Sequence, residues 1–399
     1  MVAYTFYEAD NRVRRYAEAL AKRGDEVDAI ALRSEGQPDF EIIRGVHVYR
    51  IQKRLRDEKS PFSYLRKLLL FFFRSLWFLT VHGGRQRYDI IHVHSVPDFE
   101  VFATLVPKIL GTPIILDIHD VVPEFYASKF KVGERSLTFR ILLLIEKLST
   151  AYSDKVIISN HIWKDKLIRR SVSPEKCIAI INYPDLSIFR QRPKPLTNDG
   201  TFLMCYPGTL NQHQGLDVAI RAMTILKDKV PNLRFLIIGD GPDREKLKTM
   251  VRQECLEDRV TIQGCVPIET IADTMATVDL GVVPKRKDSF GNEAFSTKIM
   301  EFMAMGVPVL ASNTLIDQHY FNDDLVQFFE SGSAEDLATK LVGLVNDSKK
   351  RKVLCAQASK FIAENNWDVK KNEYLDLVDG LVPRQMPTSG SEHVTNSVV

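Results

Sequence analysis

Residues Phe290 to Ser312 read F-G-N-E-A-F-S-T-K-I-M-E-F-M-A-M-G-V-P-V-L-A-S. The stretch predicts a loop, a short helix and a buried strand in immediate succession. Ser296 or Thr297 suits the N-cap, because a short hydroxyl there accepts a bond from a free amide of the first turn. Gly306 stops the helix, since glycine tolerates the left-handed turn after a last helical residue. Pro308 blocks any continuation. Val307, Val309 and Leu310 then read as a short inner strand.

The start of this helix carries the chemistry. Its free amides and the positive end of its dipole favour an anion, phosphate above all, and Phe295, Ser296 and Thr297 present those amides. Two carboxylates flank them, Glu293 in the preceding loop and Glu301 one turn inside the helix. A carboxylate beside a phosphate pocket repels the phosphate. It suits sugar hydroxyls, which donate hydrogen bonds to an ionised acceptor.

Two glutamates eight positions apart, around A-F-S-T-K-I-M and ahead of F-M-A-M-G-V-P-V, resemble the donor-site motif of family-4 retaining glycosyltransferases of the bacterial surface-polysaccharide type, which have the GT-B fold. The resemblance implies that Glu293 holds hydroxyls of the donor sugar, that Glu301 holds the ribose, and that the amides of Phe295, Ser296 and Thr297 hold the diphosphate. It covers nearly all of the chain except 54–87 and the polar tail.

A chain of 399 residues exceeds one usual core and predicts two domains. The net charge of +3 says little about partners, and no nucleic-acid partner is expected. The five cysteines, Cys177, Cys205, Cys255, Cys265 and Cys355, show no metal-ligand spacing and read as reduced thiols of a cytosolic protein. Met1 leads straight into a strand-like run and a charged helix, so no signal peptide is expected.

From the N terminus, strands are predicted at Val2 to Tyr7 and Val27 to Leu32 around a helix from Arg12 to Lys22. The resemblance implies a glycine-rich acceptor loop after the first strand, but this loop, Glu8-Ala9-Asp10-Asn11, has no glycine. Asp10 and Arg12 are candidates on the acceptor side; Asp10 equally suits helix capping. Phe40 to Ile51 reads as a hairpin around Gly45. Pro61 to Arg87 is an apolar helix framed by Arg50, Lys53, Arg54, Arg56, Lys59, Arg66, Lys67, Arg85 and Arg87. Its apolar runs are shorter than the roughly 20 residues a spanning helix needs. They suit either an anionic membrane surface or the domain core.

Tyr88 to His94 reads as a strand, with His92 and His94 on one side of the sheet, and Asp98 to Leu110 as a helix. Pro113 to Ile118 is a strand ending in D-I-H-D-V-V-P-E-F-Y. That end resembles the family's loop at the carboxyl end of an inner strand, where ligands of open α/β sheets bind, and His119 matches its active-site histidine. Three close histidines would suit a metal, but the resemblance implies none, and no acidic pair is seen to hold a diphosphate through magnesium. Further predicted elements are helices at Arg135 to Tyr152 and Ile162 to Arg169, and strands at Lys155 to Ser159 and Ile178 to Ile181.

Residues 191–200, Q-R-P-K-P-L-T-N-D-G, read as a linker. A strand from Thr201 to Tyr206 follows, then P-G-T-L-N-Q-H-Q-G. Gly208, Thr209 and Gln214 here match the family's donor turn. Many relatives carry arginine and lysine where this chain has Thr209 and Gln214, so Lys298, His213, Lys285 or helix amides alone must neutralise the diphosphate. Leu233 to Ile238 leads into G-D-G-P-D, where Gly239 permits a close approach by a ligand. V-T-I-Q-G-C-V-P follows, and by resemblance the backbone at Val266 meets the nucleotide base. Trp367 to Leu381 resembles the family's terminal helix, which packs back on the first domain.

The expected architecture is α/β, two doubly wound Rossmann-like domains facing a cleft. The boundaries are 1–190 for the acceptor-side domain, 201–366 for the nucleotide-sugar domain, 367–382 for the terminal helix and 383–399 for a disordered tail. The expected function is a metal-independent retaining glycosyltransferase with His119 and Glu293 in catalytic positions and no cofactor. It would move a sugar from a nucleotide-diphosphate sugar, UDP-sugar before GDP-sugar, to a lipid-linked or glycan acceptor in polysaccharide or glycoconjugate synthesis. Two rivals share the fold: a sugar-nucleotide epimerase and a non-catalytic glycosyltransferase-like subunit. The expected location is cytoplasmic, peripheral on the inner membrane face through 61–87.

Overall fold

The computed structural model describes residues 1–54, 61–83, 87–130, 133, 135–194 and 200–382. Arg56, Lys59, Arg85, the middle of the expected linker and the tail 383–399 lie outside the described residues. The chain forms two compact units. The first comprises Met1–His94, Glu100–Leu116 and the C-terminal helix from Asn372; the second comprises Ser95–Phe99 and Asp117–Lys371.

Among the described residues, fourteen strands are interspersed with helices. Those of the first sheet are β1 (Val2–Phe6), β2 (Val27–Arg33), β3 (Phe40–Ile43), β4 (Val46–Lys53), β5 (Ile91–His94), β6 (Ile114–Ile118), β7 (Lys155–Ile158) and β8 (Cys177–Ala179). Their order is β3-β4-β2-β1-β5-β6-β7-β8, and the boundary between the units falls within β6. β3 and β4 form the predicted antiparallel hairpin, turning at Arg44 and Gly45, both at positive φ. The second sheet contains β9 (Phe202–Pro207), β10 (Leu233–Ile238), β11 (Val260–Gln263), β12 (Leu280–Val283), β13 (Val309–Ser312) and β14 (Gln327–Phe329). Its order is β11-β10-β9-β12-β13-β14 with parallel pairing throughout.

A parallel sheet covered on both faces needs near-continuous apolar strands. Met204, Tyr206, Ile237, Val282, Val283, Val309 and Leu310 meet that need and are fully buried. The order of strands reverses between β9 and β12, the chain adding strands to one side of β9 and then to the other, so the crevice outside their carboxyl ends is the topological switch point where ligands of such sheets bind. Gly208 follows β9 and Lys285 closely follows β12.

Two stretches depart from the sequence reading. Asp98 to Leu110 is not one α-helix: it starts as a 3-10 turn over Asp98–Thr104 and becomes α-helical only at Leu105–Ile109. Pro107 explains this, since its ring clashes with the carbonyl four residues back and cannot donate to it. Conversely, the loop expected after His119 turns helical at Val122–Phe130, with Pro123 in the first turn, where its missing N–H costs nothing.

The basic apolar helix runs over Pro61–Gly83 and has two faces. Leu68, Phe71, Ser75 and Leu79 are buried, whereas Leu65, Leu69, Leu70, Phe73 and Trp77 are exposed. The helix Leu105–Ile109 packs against it and adds exposed Leu105, Ile109 and the adjoining Leu110. Among the described residues no helix is long and apolar enough to cross a membrane. The C-terminal helix Trp367–Leu381 matches its predicted span. Within the first unit, its Tyr374 lies 4.1 Å from the Tyr16 ring and its hydroxyl is 3.0 Å from His92 Nδ1, while Asp379 accepts from Arg23 at 2.8 Å. His92 and His94 stack 4.1 Å apart, on one side of the sheet as their alternation requires.

Candidate active site

The helix predicted from the opening stretch spans Thr297–Ala304 with Ser296 at its N-cap. The Ser296 hydroxyl does not cap its own helix. It is 4% exposed and has no partner among the described residues. Gly306 takes φ 72°, the left-handed stop expected of it. The loop in front is pinned from below. Lys285, 2% exposed, donates from Nζ to the Ala294 carbonyl at 2.7 Å and to Asp317 Oδ1 at 3.1 Å. Asp317 is fully buried and also accepts from Thr314 Oγ1 at 2.7 Å. Burial lowers the lysine pKa and raises that of the aspartate, because both charges have left water. The pair fixes Ala294 between Glu293 and the amides of Phe295 to Thr297. Phe295 is further braced edge-on against Tyr320, with ring centroids 4.9 Å apart.

Above β9 and β10 the backbone comes unusually close. Gly208 and Gly239 sit at φ 143° and 148°. A Cβ on Gly239 would lie 1.9 Å from the Gly208 carbonyl oxygen. A Cβ on Gly208 would lie 2.2 Å from Lys298 Cε. Thr209 is exposed, and its carbonyl accepts from the buried Tyr206 hydroxyl at 3.0 Å. Gln214 closes the 3-10 turn Gln212–Gln214. Gly215 then passes so near Pro284 that a Cβ would be 1.9 Å from its carbonyl oxygen. Val266 follows β11, partly exposed. Glu301 is partly buried and raises the pKa of Lys298 against the larger lowering by burial.

Glu293 is held in a way the sequence did not announce. Its carboxylate accepts from Trp163 Nε1 at 3.2 Å and from Lys166 Nζ. Its carbonyl accepts from Asn160 Nδ2 at 3.1 Å. Asn160 caps the helix His161–Arg170 through Trp163 N, so Asn160, Trp163 and Lys166 recur at three-residue spacing on one helix face. That spacing was the available signal. His119 is one-fifth exposed at its side chain; Nε2 lies 3.3 Å from the fully buried Asp117 carboxylate, and its carbonyl accepts from Ser159 Oγ at 2.7 Å. Asp117 thus orients the imidazole.

In the first unit, Asp10 caps the helix Asn11–Arg23, accepting from Arg12 N at 3.1 Å and Val13 N at 3.2 Å. Arg12 is buried, its guanidinium 5.2 Å from the Tyr16 ring centroid.

The sequence family described as "Glycosyl transferase 4-like domain" matches residues 9–182, and "Glycosyl transferases group 1" matches 187–361. A sulfoquinovosyl transferase of Arabidopsis thaliana is 24% identical over 374 residues, which cover 90% of this chain and 67% of that one. The structure is similar to a sucrose-phosphate synthase from Thermosynechococcus elongatus, with TM-score 0.76 at 20% identity over 95% of this chain and 98% of the other. It is also similar to Anabaena HepE solved with UDP-glucose, with TM-score 0.70 at 14% identity over 95% of this chain and 98% of the other. These structural likenesses carry the two-sheet fold; the sequence matches carry the kinship. The chain belongs to the GT-B glycosyltransferases, and within them to the family-4-like, group 1 kind.

Proposed function

We propose that this transferase takes its sugar from a nucleotide-diphosphate sugar, UDP-sugar before GDP-sugar, and moves it with retention to a lipid-linked or glycan acceptor of polysaccharide or glycoconjugate synthesis. The observation that carries the reading is the helix start at Ser296: a buried, unpartnered hydroxyl and free amides, flanked by Glu293 and Glu301 and set at the switch point of the second sheet. Amides at a helix start stabilise the charge that develops on a departing diphosphate. Glu301 accepts from the ribose and Glu293 from the sugar, with Trp163 and Lys166 holding the Glu293 carboxylate in place. His119, oriented by Asp117, hydrogen-bonds the sugar. The acceptor hydroxyl attacks on the face from which the diphosphate leaves, and no divalent ion takes part. The Anabaena relative solved with UDP-glucose supports the choice of donor.

A thermal-shift panel of UDP, GDP and ADP sugars in EDTA tests this, because a ligand of the native state raises its stability. A UDP-sugar is expected to raise Tm and Glu301→Gln to abolish most of the rise. No shift with any sugar nucleotide, or a shift only after manganese or magnesium is restored, would refute the reading.

The exposed face of Pro61–Gly83 bears on the acceptor. Leu69, Leu70, Phe73 and Trp77 lie among Arg66, Lys67 and Arg74, and the helix contains no acidic residue. An apolar face in a basic frame lies in an anionic interface, where each cation contributes on the order of 1 kcal/mol. The protein is expected to float with anionic vesicles at low salt. Phe73→Ser with Trp77→Ser should release it and leave solution stability nearly unchanged, since both side chains are already exposed. Failure of the wild type to float at low salt removes the membrane from the proposal.

A further inference from the structure

A diphosphate at the Ser296 helix start needs positive charge within reach. The turn from Gly208 to Gly215 contains no lysine or arginine; its one titratable cation is His213. Burial lowers the His213 pKa, and Lys298 and Lys285 lower it further against the pull of Asp288 and Asp243, so the ring is neutral at pH 7. Lys285 is committed to Asp317 and the Ala294 carbonyl. Arg286, the next residue, is bonded to Asp217 at 2.5 Å.

Lys298 stands differently. It is the second residue of the helix Thr297–Ala304, half-buried. Its ammonium lies 5.2 Å from the centroid of the Tyr206 ring, on the floor formed by the end of β9. Its last carbon and nitrogen cross the space that a side chain at Gly208 would fill, 2.2 and 2.9 Å from that Cβ position. The glycine therefore makes room for the lysine. Burial lowers its pKa, Glu301 and Asp317 raise it, and Lys285 lowers it. One lysine thus reaches from the helix whose amides are free to the strand end where the backbone is bare.

We propose that Lys298 is the cation that binds the donor's diphosphate, in place of charge on the 208–215 turn, where Thr209 and Gln214 supply none. The inference rests on the donor reading above and adds the residue that neutralises the leaving group. An ammonium bonded to phosphate oxygens is a charge-assisted contact, and it acts most strongly as negative charge gathers on the leaving diphosphate.

Calorimetric titration with UDP, GDP and ADP, each beside its nucleoside, tests this on the full chain. Lys298→Met is expected to weaken the diphosphate that binds the wild type by roughly 10- to 100-fold and its nucleoside by less than threefold. Lys298→Arg should recover part of the loss. A second measurement needs no variant: in the wild type, the same nucleoside diphosphate should protect Lys298 from reductive methylation, read by peptide mass spectrometry, while the nucleoside should not. Wild-type affinity in Lys298→Met, an equal loss for nucleoside and diphosphate, or methylation unaffected by the diphosphate overturns the inference alone. Binding of none of the three diphosphates by the wild type overturns the donor reading and the inference with it.

Discussion

Replacing Lys285 by methionine is expected to cost about 3–5 kcal/mol of stability, the usual price of stranding one charge of a buried pair. Methionine fills most of the lysine's volume, so the loss is electrostatic rather than a cavity effect. Asp317 is fully exposed to this change because it is fully buried from water; Thr314 Oγ1 remains its nearest donor. Tm should fall on the order of 10 °C. The pH dependence has a definite sign. Burial already raises the pKa of Asp317 in the wild type, and removing the lysine raises it more. A carboxylate whose folded pKa is raised contributes stability that is present in acid and lost as pH rises through the folded value. Lys285→Met should therefore be least impaired at low pH. Adding Asp317→Asn should return part of the loss at neutral pH, because no uncompensated charge is left. A loss under 1 kcal/mol, or no recovery in the double variant, would show that the pair does not anchor the loop. Donor affinity should fall with stability in the single variant, since the Ala294 carbonyl loses its donor.

Gly239→Ala is the second large effect. The added Cβ would meet the Gly208 carbonyl oxygen at 1.9 Å and its carbon at 2.9 Å. Neither backbone can step aside. Gly208 N donates to the Ile238 carbonyl at 2.8 Å and Gly239 N to the Gln263 carbonyl at 3.0 Å, which ties the ends of β9, β10 and β11 together. The φ of 148° adds roughly 1–3 kcal/mol of strain for any residue with a side chain. The expected outcome is a loss of several kcal/mol in urea unfolding, with a distorted Gly208 turn and weakened nucleotide binding. Gly343→Ala is the control. It lies inside the helix Ala334–Asn346 with open space where a Cβ would go, and it should stabilise by about 0.4–1 kcal/mol. Equal unfolding midpoints for Gly239→Ala and wild type would contradict the packing described for these strand ends.

The sequence by itself determined the alternation of strands and helices, the stop at Gly306, the span of Trp367–Leu381 and the place of Glu293 and Glu301 on either side of a helix start. These are local matters: apolar runs, caps and glycines act within one or two turns of chain. It also placed His92 and His94 on one side of a strand, because side chains there alternate. It misjudged Asp98 to Leu110 and Val122–Phe130, where the position of a proline within the turn decides between a helix and a break. The tertiary structure decided the rest. Glu293 meets Trp163 and Lys166 across about 130 positions of chain, Lys285 meets Asp317 inside the second unit, and Lys298 comes to lie over Gly208. It also split Pro61–Gly83 into a buried and an exposed face, which apolar residues on every side of the helix do not distinguish. The physical reason is the same in each case. Which strand ends stand side by side follows from the order of strands in the sheet, and that order is settled by burial summed over a whole unit rather than by the preferences of any one segment.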